Sequence, residues 1–383
     1  MKILETLFWS SVLLVGYIYI FYPVILYIMA KKPLVIRREP DYQPTVSILI
    51  AAFNEERDIV ATLENKIAQN YPKDKFELLV VSDESTDGTD DLVNDFAERS
   101  PVPVCLLRQK PRAGKTAGLN KLVPEASGDI IVFSDANSLW DENTLNNLCR
   151  NFSDSKVGYV TGKMIYVAED GSTIGDGCSS YMKYENWLRE SETAIGSIVG
   201  VDGGIDAMRK SIHAKLNDDQ LPDFVQPLKV VEKGYRVIYE PEAILKEHSL
   251  TDSSAEYRMR VRVSIRAIWA LWDMKKLFNP FSYGIFSWQL LSHKLLRYLA
   301  FLPLLTALFS NFLIMPDSWF YTLTFLIQVL FYCAAYLDFK GWLAGPDLLR
   351  MPHYFCLLNI ASAEAFWRFL KGEKKVLWKP REG

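Results

Sequence analysis

Twenty-five consecutive uncharged residues, Thr6 to Ala30, stand near the start of the chain, and so long a run leaves few ways to fold. At roughly 1.5 Å of rise per residue, a helix of that length crosses a hydrocarbon core about 30 Å thick. Pro23 bends such a helix without forbidding insertion. A cleaved signal peptide is the competing reading. Its basic residues would precede the apolar stretch, whereas Lys31, Lys32, Arg37 and Arg38 follow it here. That flank places the residues beyond 30 on the cytoplasmic side.

Two further uncharged runs, Tyr298 to Pro316 and Ser318 to Leu337, meet at a break containing Pro316 and Asp317. They read as a membrane hairpin over residues 298–337, with Lys340 and Arg350 inside. Residues 351–370 begin equally apolar, but Glu364 and Arg368 interrupt them, so a crossing and an interfacial helix both stay open. Four crossings from an outside N-terminus would export the basic tail of residues 371–383, so three are favoured. The expectation is a multi-pass protein of the cell inner or plasma membrane, with the lipid bilayer as a partner. Residues 255–293 read as an amphipathic, interfacial region. Arg258, Arg262 and Arg266 recur every four residues, and Val261, Ile265, Ile268 and Trp272 form another face. An ordinary helix packed on the soluble domain is the alternative.

Between these flanks, residues 40–254 carry ordinary soluble-protein patterning. The formal net charge of -3 speaks against a nucleic-acid binder, which would carry a basic excess. Five scattered cysteines with no CxxC pair exclude a disulfide framework and fit a reducing compartment. Short apolar strands are expected at Val46–Ala51, Phe76–Val81, Val102–Leu107 and Asp129–Ser134. Helices are expected at Arg57–Gln69 and Thr89–Glu98. This alternation predicts an α/β domain with a mostly parallel central sheet covered on both faces, whose polar strand ends collect ligands. Neither GxGxxG nor GxxxxGK[ST] occurs, which disfavours a dinucleotide dehydrogenase or a phosphate-loop ATPase.

Asp135 and Asn137 follow the strand Ile130–Ser134. In an extended turn both could approach one phosphate-bound cation, Asp135 through a hard anionic oxygen and Asn137 through a neutral one. An Asx turn explains the same tripeptide.

Four segments in order, VSILIAAFNEE (46–56), VVSDESTDGT (80–89), RAGKTAGLN (112–120) and IVFSDAN (131–137), together resemble family 2 glycosyltransferases with a GT-A fold. The resemblance covers roughly residues 44–275. The hydrophobic flanks resemble the membrane-associated branches that make bacterial surface polysaccharides. It implies a nucleotide-sugar donor, expected to be a uridine diphosphate sugar, with Glu55 near the nucleoside and Asp83 accepting from its base. Arg112 and Lys115 would meet the donor phosphates. Asp135, with Asn137 and His248, would hold Mg2+ or Mn2+, although Asn137 departs from a strict DxD motif. The segment GVDGGIDAMR (200–209) resembles the acceptor loop, with Asp202, Gly203 and Gly204 facing acceptor, and Asp223 resembles the catalytic base. Asp87 is expected to shape a turn, and Asn120 to secure the loop or the sugar-side network. Processive relatives carry QxxRW; Tyr257–Val261 reads YRMRV, which keeps Arg260 as an acceptor contact but lacks the glutamine and tryptophan. The implied activity is inverting transfer of sugar to a membrane-associated glycan or lipid-linked oligosaccharide. Transfer to polyprenyl phosphate, a processive synthase and a nonenzymatic scaffold are the alternatives.

Overall fold

The computed structural model describes residues 1–167, 177–248, 253–342 and 351–374. The chain divides into two compact units, one of Met1–Lys31, Gly175–Leu188 and Leu250–Glu373, the other of Lys32–Ile174, Arg189–Ser249 and Lys374–Gly383. Helix α1 (Lys2–Ala30) leads into β1 (Val46–Ala52), α2 (Ile59–Ile67), β2 (Phe76–Ser82), α3 (Thr89–Arg99) and β3 (Val104–Arg108). Then come α4 (Lys115–Glu125), β4 (Ile130–Asp135), β5 (Leu139–Trp140), α5 (Thr144–Cys149), β6 (Val157–Val167) and α6 (Gly177–Ile195). After β7 (Asp206–Arg209), α7 (Pro222–Glu232) and β8 (Arg236–His248), the chain ends in helices α8 (Ser253–Asp273), α9 (Ile285–Tyr298), α10 (Phe301–Ile314), α11 (Trp319–Phe339) and α12 (Met351–Leu370).

All eight strands join one sheet in the order β3-β2-β1-β4-β7-β6-β8-β5. The first four run parallel, and β6 pairs parallel with β8. β7 lies antiparallel between β4 and β6, and β5 runs antiparallel to β8. Every residue of β1 is buried, as a central parallel strand covered on both faces requires, which is why its sequence is continuously small or apolar. Helices α2 and α3 cover the sheet through Ile59, Leu63, Val93 and Phe96. In register, Ala51 pairs with Asp135 and Ala52 with Ser82, so three adjacent strands end at one level. Their exits carry Phe53–Glu55, Asp83 and Asp135, which explains how motifs far apart in sequence meet.

In the other unit, α1 and α11 are each long and apolar enough to cross a membrane. In α1 a π turn at Tyr17–Phe21 precedes Pro23, whose missing N–H and ring interrupt regular i→i−4 bonding there. The hairpin break falls at Met315–Asp317, as expected. Its first arm differs from the expectation. α10 has 14 residues, about 21 Å of helix against a core of about 30 Å, and becomes a possible span only together with α9, from which it is bent by 57°. Phe8 of α1 packs on Ala307 and Ile314 of α10.

The arginine-rich α8 turns Ile265 and Ile268 onto Ala365 of α12, and leaves Trp272 57% exposed. On α12, Glu364 accepts from Tyr257 and pairs with Arg368, so the charges that interrupt its apolar pattern answer each other. Residues 175–188, assigned by sequence to the soluble domain, group instead with the hydrophobic helices. Trp187 packs its ring 6.1 Å from Tyr27, and Glu185 pairs with Arg297.

Candidate functional site

Asp83 caps a loop. The Oδ1 atom accepts from Gln109 Nε2 (2.6 Å) and from the backbone N–H groups of Ala113 (2.9 Å) and Gly114 (3.1 Å). Its other oxygen meets Arg112 Nε at 3.3 Å. Arg112 lies flat over Phe53, 3.4 Å from ring centroid to guanidinium carbon, a cation–π contact that pins the loop to the end of β1. The side chain of Arg112 therefore ties the loop both to Asp83 and to Phe53.

Lys115, the first residue of α4, points its Nζ to Asp135 Oδ1 at 2.6 Å and to Asp223 Oδ1 at 3.7 Å. Burial works against the ammonium, but Asp135 and Asp223 outweigh it and hold the lysine above its ordinary pKa. The side chain of Asp135 remains 41% exposed at the end of β4. Asn137 sits half-buried in the turn that follows. Nearby, Glu55 is pushed up to about 7, by burial first and then by the charges of Asp58, Asp135 and Asp87.

Gly203 and Gly204 close the site with φ of +81° and +71°. A Cβ on Gly203 would stand 2.8 Å from Asp223 Oδ2, and one on Gly204 would stand 3.3 Å from Asp135 Oδ2. Two bare backbone positions thus touch both acids, where any side chain would block the approach. Trp140 Nε1 donates to the Gly204 carbonyl at 3.1 Å and fixes the loop. Asp223 itself lies in the first turn of α7, which Pro222 starts with a φ suited to a helix.

The structure therefore brings together Asp135, Lys115, Asp223, Gly203 and Gly204, with Glu55, Asp83 and Arg112 on neighbouring strand exits. Asp202 is turned elsewhere: both its oxygens bind Arg189 in a buried bidentate pair. Arg260 belongs to the unit of hydrophobic helices, where it donates to Glu256 (2.8 Å) and Tyr354 Oη (2.7 Å). His248 ends β8, and its side chain lies outside the described residues. Asp87 accepts from Thr89 and from the Glu56 N–H, and Asn120 exchanges hydrogen bonds with the Leu216 backbone.

Sequence reasoning missed Lys66 and Asp206. Lys66 is fully buried, donates to the Ser138 carbonyl and lies 4.0 Å from the Trp140 ring centre, under the turn that carries Asn137. Burial drives its pKa well down. Asp206, on β7, is also fully buried; burial and the charge of Asp223 push its carboxyl up to about 8. One charged residue inside the apolar run Ile205–Met208 was the available signal.

Among the described residues, no group of three or more His, Cys, Asp or Glu side chains is arranged to hold a metal ion. Asp135 keeps a partly exposed carboxylate, which binds the ammonium of Lys115.

Residues 47–217 match the profile of glycosyl transferase family 2. Over these residues the chain is similar to family 2 glycosyltransferases. Over 227 residues the chain is 30% identical to the probable glycosyltransferase YdaM of Bacillus subtilis, covering 57% of this chain and 54% of that protein. Over 244 residues it is 28% identical to poly-beta-1,6-N-acetyl-D-glucosamine synthase of Staphylococcus aureus, covering 62% and 57%. The chain thus spans little more than half the length of these curated relatives. Among solved structures, the mannosyltransferase PcManGT of Pyrobaculum calidifontis, in complex with GDP-Man and Mn2+, has the same fold, with a TM-score of 0.70 at 24% identity over 95% of this chain and 99% of that one. The domain has the GT-A fold that the four sequence segments imply.

Proposed function

We propose that the chain transfers a sugar, with inversion, from a nucleotide-sugar donor to a membrane-associated glycan or lipid-linked oligosaccharide. The observation that carries this reading is the meeting of Asp223 and Asp135 at the bare backbone of Gly203 and Gly204. Asp223 accepts the proton of an acceptor hydroxyl while that oxygen attacks the anomeric carbon, and the bond from that carbon to the nucleoside diphosphate breaks on the opposite face. One displacement inverts the centre and needs no enzyme nucleophile. Lys115 and Arg112 meet the phosphates, and Glu55 and Asp83 frame the nucleoside. Asp135, with Asn137 beside it in the sequence, would hold Mg2+ or Mn2+, which would supply charge neutralisation for the leaving diphosphate.

The donor class follows from the family and from the GDP-Man bound to PcManGT, which widens the uridine expectation to guanosine donors. The lysines and arginines after α1 support a cytoplasmic domain. Three crossings, by α1, by α9 with α10 if that bent pair is one span, and by α11, would keep the basic tail there too.

The test is purified protein with a panel of nucleotide sugars, divalent ions and a lipid extract. Donor-dependent release of nucleoside diphosphate with one product length is expected. A product ladder would instead indicate a processive synthase, and a single sugar on polyprenyl phosphate would indicate the lipid carrier as acceptor. Folded protein with no turnover across the panel overturns the reading.

A further inference from the structure

Inside the unit of hydrophobic helices lies a cavity of about 350 Å³ that the transfer chemistry above does not use. Arg260, His293, Lys294 and Arg297 line it, and no aspartate or glutamate does. The carboxylates that answer the two arginines stand outside the lining: Glu185 binds Arg297, and Glu256 binds Arg260. Each guanidinium is thereby fixed in direction, has a tyrosine hydroxyl as a second partner, Tyr354 for Arg260 and Tyr181 for Arg297, and still carries more N–H donors than these consume. Charged groups among apolar helices are costly and are retained chiefly where they act on a ligand or a pathway.

Two polar atoms in the wall point to a ligand independently of charge. Tyr184 Oη and Asn359 Oδ1 are buried and have no hydrogen-bond partner among the described residues, and Asn359 is only 8% exposed. Leaving a buried donor or acceptor unmatched costs about 1–3 kcal/mol, so such atoms call for a partner that arrives with a ligand. The helix distortions lie at the same place. Tyr19 sits in the π turn of α1, and His293 and Lys294 in the π turn Leu290–Leu295 of α9; all three line the cavity. Irregularities of this kind concentrate at functional sites. Val263, Met351, Phe355 and Leu358 supply the apolar part of the wall.

We infer that this cavity binds the phosphate head of an anionic lipid, with Arg260, Arg297 and Tyr184 donating to the phosphate oxygens and Asn359 accepting from a hydroxyl of the same head. Bidentate guanidinium geometry suits phosphate, and the apolar side chains receive the first carbons of the chain. The inference deepens the proposed function, on which it rests only for the role of that lipid as the acceptor's anchor. Phosphate is the shared chemistry of a lipid monoester and of the free anion, and the test separates them.

The full chain in detergent micelles is titrated calorimetrically with farnesyl phosphate, with farnesol and with inorganic phosphate. Farnesyl phosphate is expected to bind at least about tenfold more tightly than either of the others, since each lacks one half of the recognition. Tyr184→Phe, which removes one hydroxyl, is expected to weaken farnesyl phosphate about five- to tenfold, and Arg260→Gln more than about tenfold. Inorganic phosphate binding as tightly as the lipid overturns the lipid assignment. Unchanged affinity in the Tyr184→Phe protein, melting as the parent does, overturns the site. Nucleotide-sugar binding is read in the same preparations: lost lipid-phosphate binding with intact donor binding sinks this site alone, while lipid-phosphate binding without sugar transfer sinks the proposed function alone.

Discussion

Lys115 Nζ lies 2.6 Å from Asp135 Oδ1, so the acid expected to hold a metal is paired with an ammonium group. A divalent cation entering there must displace that lysine, which is then released toward the phosphates that accompany the ion. Lys115→Met removes the competitor. The rise in melting temperature on adding Mn2+ without donor is expected to exceed that of the parent, while donor affinity falls about 10- to 100-fold through loss of a phosphate contact. An identical Mn2+ response in both proteins would mean that Asp135 is not the ion's site.

The two acids should separate kinetically. Asp223→Asn keeps the shape and removes the base, so kcat should fall about 10²- to 10⁴-fold with donor affinity nearly unchanged. Asp135→Ala should weaken cation-dependent donor binding about tenfold or more, besides lowering turnover. Equilibrium dialysis with nucleotide sugar distinguishes the outcomes, and full turnover by Asp223→Asn would remove the base from the mechanism.

The donor half of the sheet was legible because β1, β2 and β4 are largely apolar runs that end at or shortly before an acid, a pattern set by local sequence alone. The antiparallel β7 was not legible. Its four residues, Asp206–Arg209, are too few for a period, and its place between β4 and β6 is decided by partners far away in sequence. β8 was hidden for another reason: Glu240, Pro241 and Glu242 interrupt it, although Glu240 is buried against Arg150. Lys66 escaped because helical patterning assigns lysine to solvent, whereas the Trp140 ring and the Ser138 carbonyl receive it inside. Residues 175–188 were placed with the soluble domain because no local signal in Glu185 announces Arg297 as its partner.

Gly203 and Gly234 offer a controlled comparison of backbone strain with steric exclusion. Both have positive φ, +81° and +83°, but a Cβ on Gly234 meets nothing within 4 Å, while one on Gly203 stands 2.8 Å from Asp223 Oδ2. Gly234→Ala should therefore lower stability by about 1–2 kcal/mol and leave kcat alone. Gly203→Ala should carry the same strain and in addition push the base aside, lowering kcat about 10- to 100-fold. Thermal unfolding and steady-state rates check both, and equal kcat in the two variants would deny the contact any catalytic weight.

Asp206 should give the protein an unusual dependence on pH. Its ordinary pKa is 3.8, and in the folded chain burial and the charge of Asp223 push it up to about 8. Between those values the folded state holds a proton that the unfolded chain has released. The protonated carboxyl's contribution is thus complete below about pH 4 and is lost as pH rises through about 8, the reverse of an ion-paired acid. Glu55, raised from 4.5 to about 7, adds a slope of the same sign over a narrower window. Asp206→Asn places a neutral amide in the same space, so the melting temperature of the variant should fall less than that of the parent between about pH 5 and pH 8.5. The part of the slope that survives in Asp206→Asn should diminish further with Glu55→Gln. If Asp206→Asn retains the whole parental slope, Asp206 is ionised in the folded protein, and Asp223 works beside a second negative charge rather than a neutral acid.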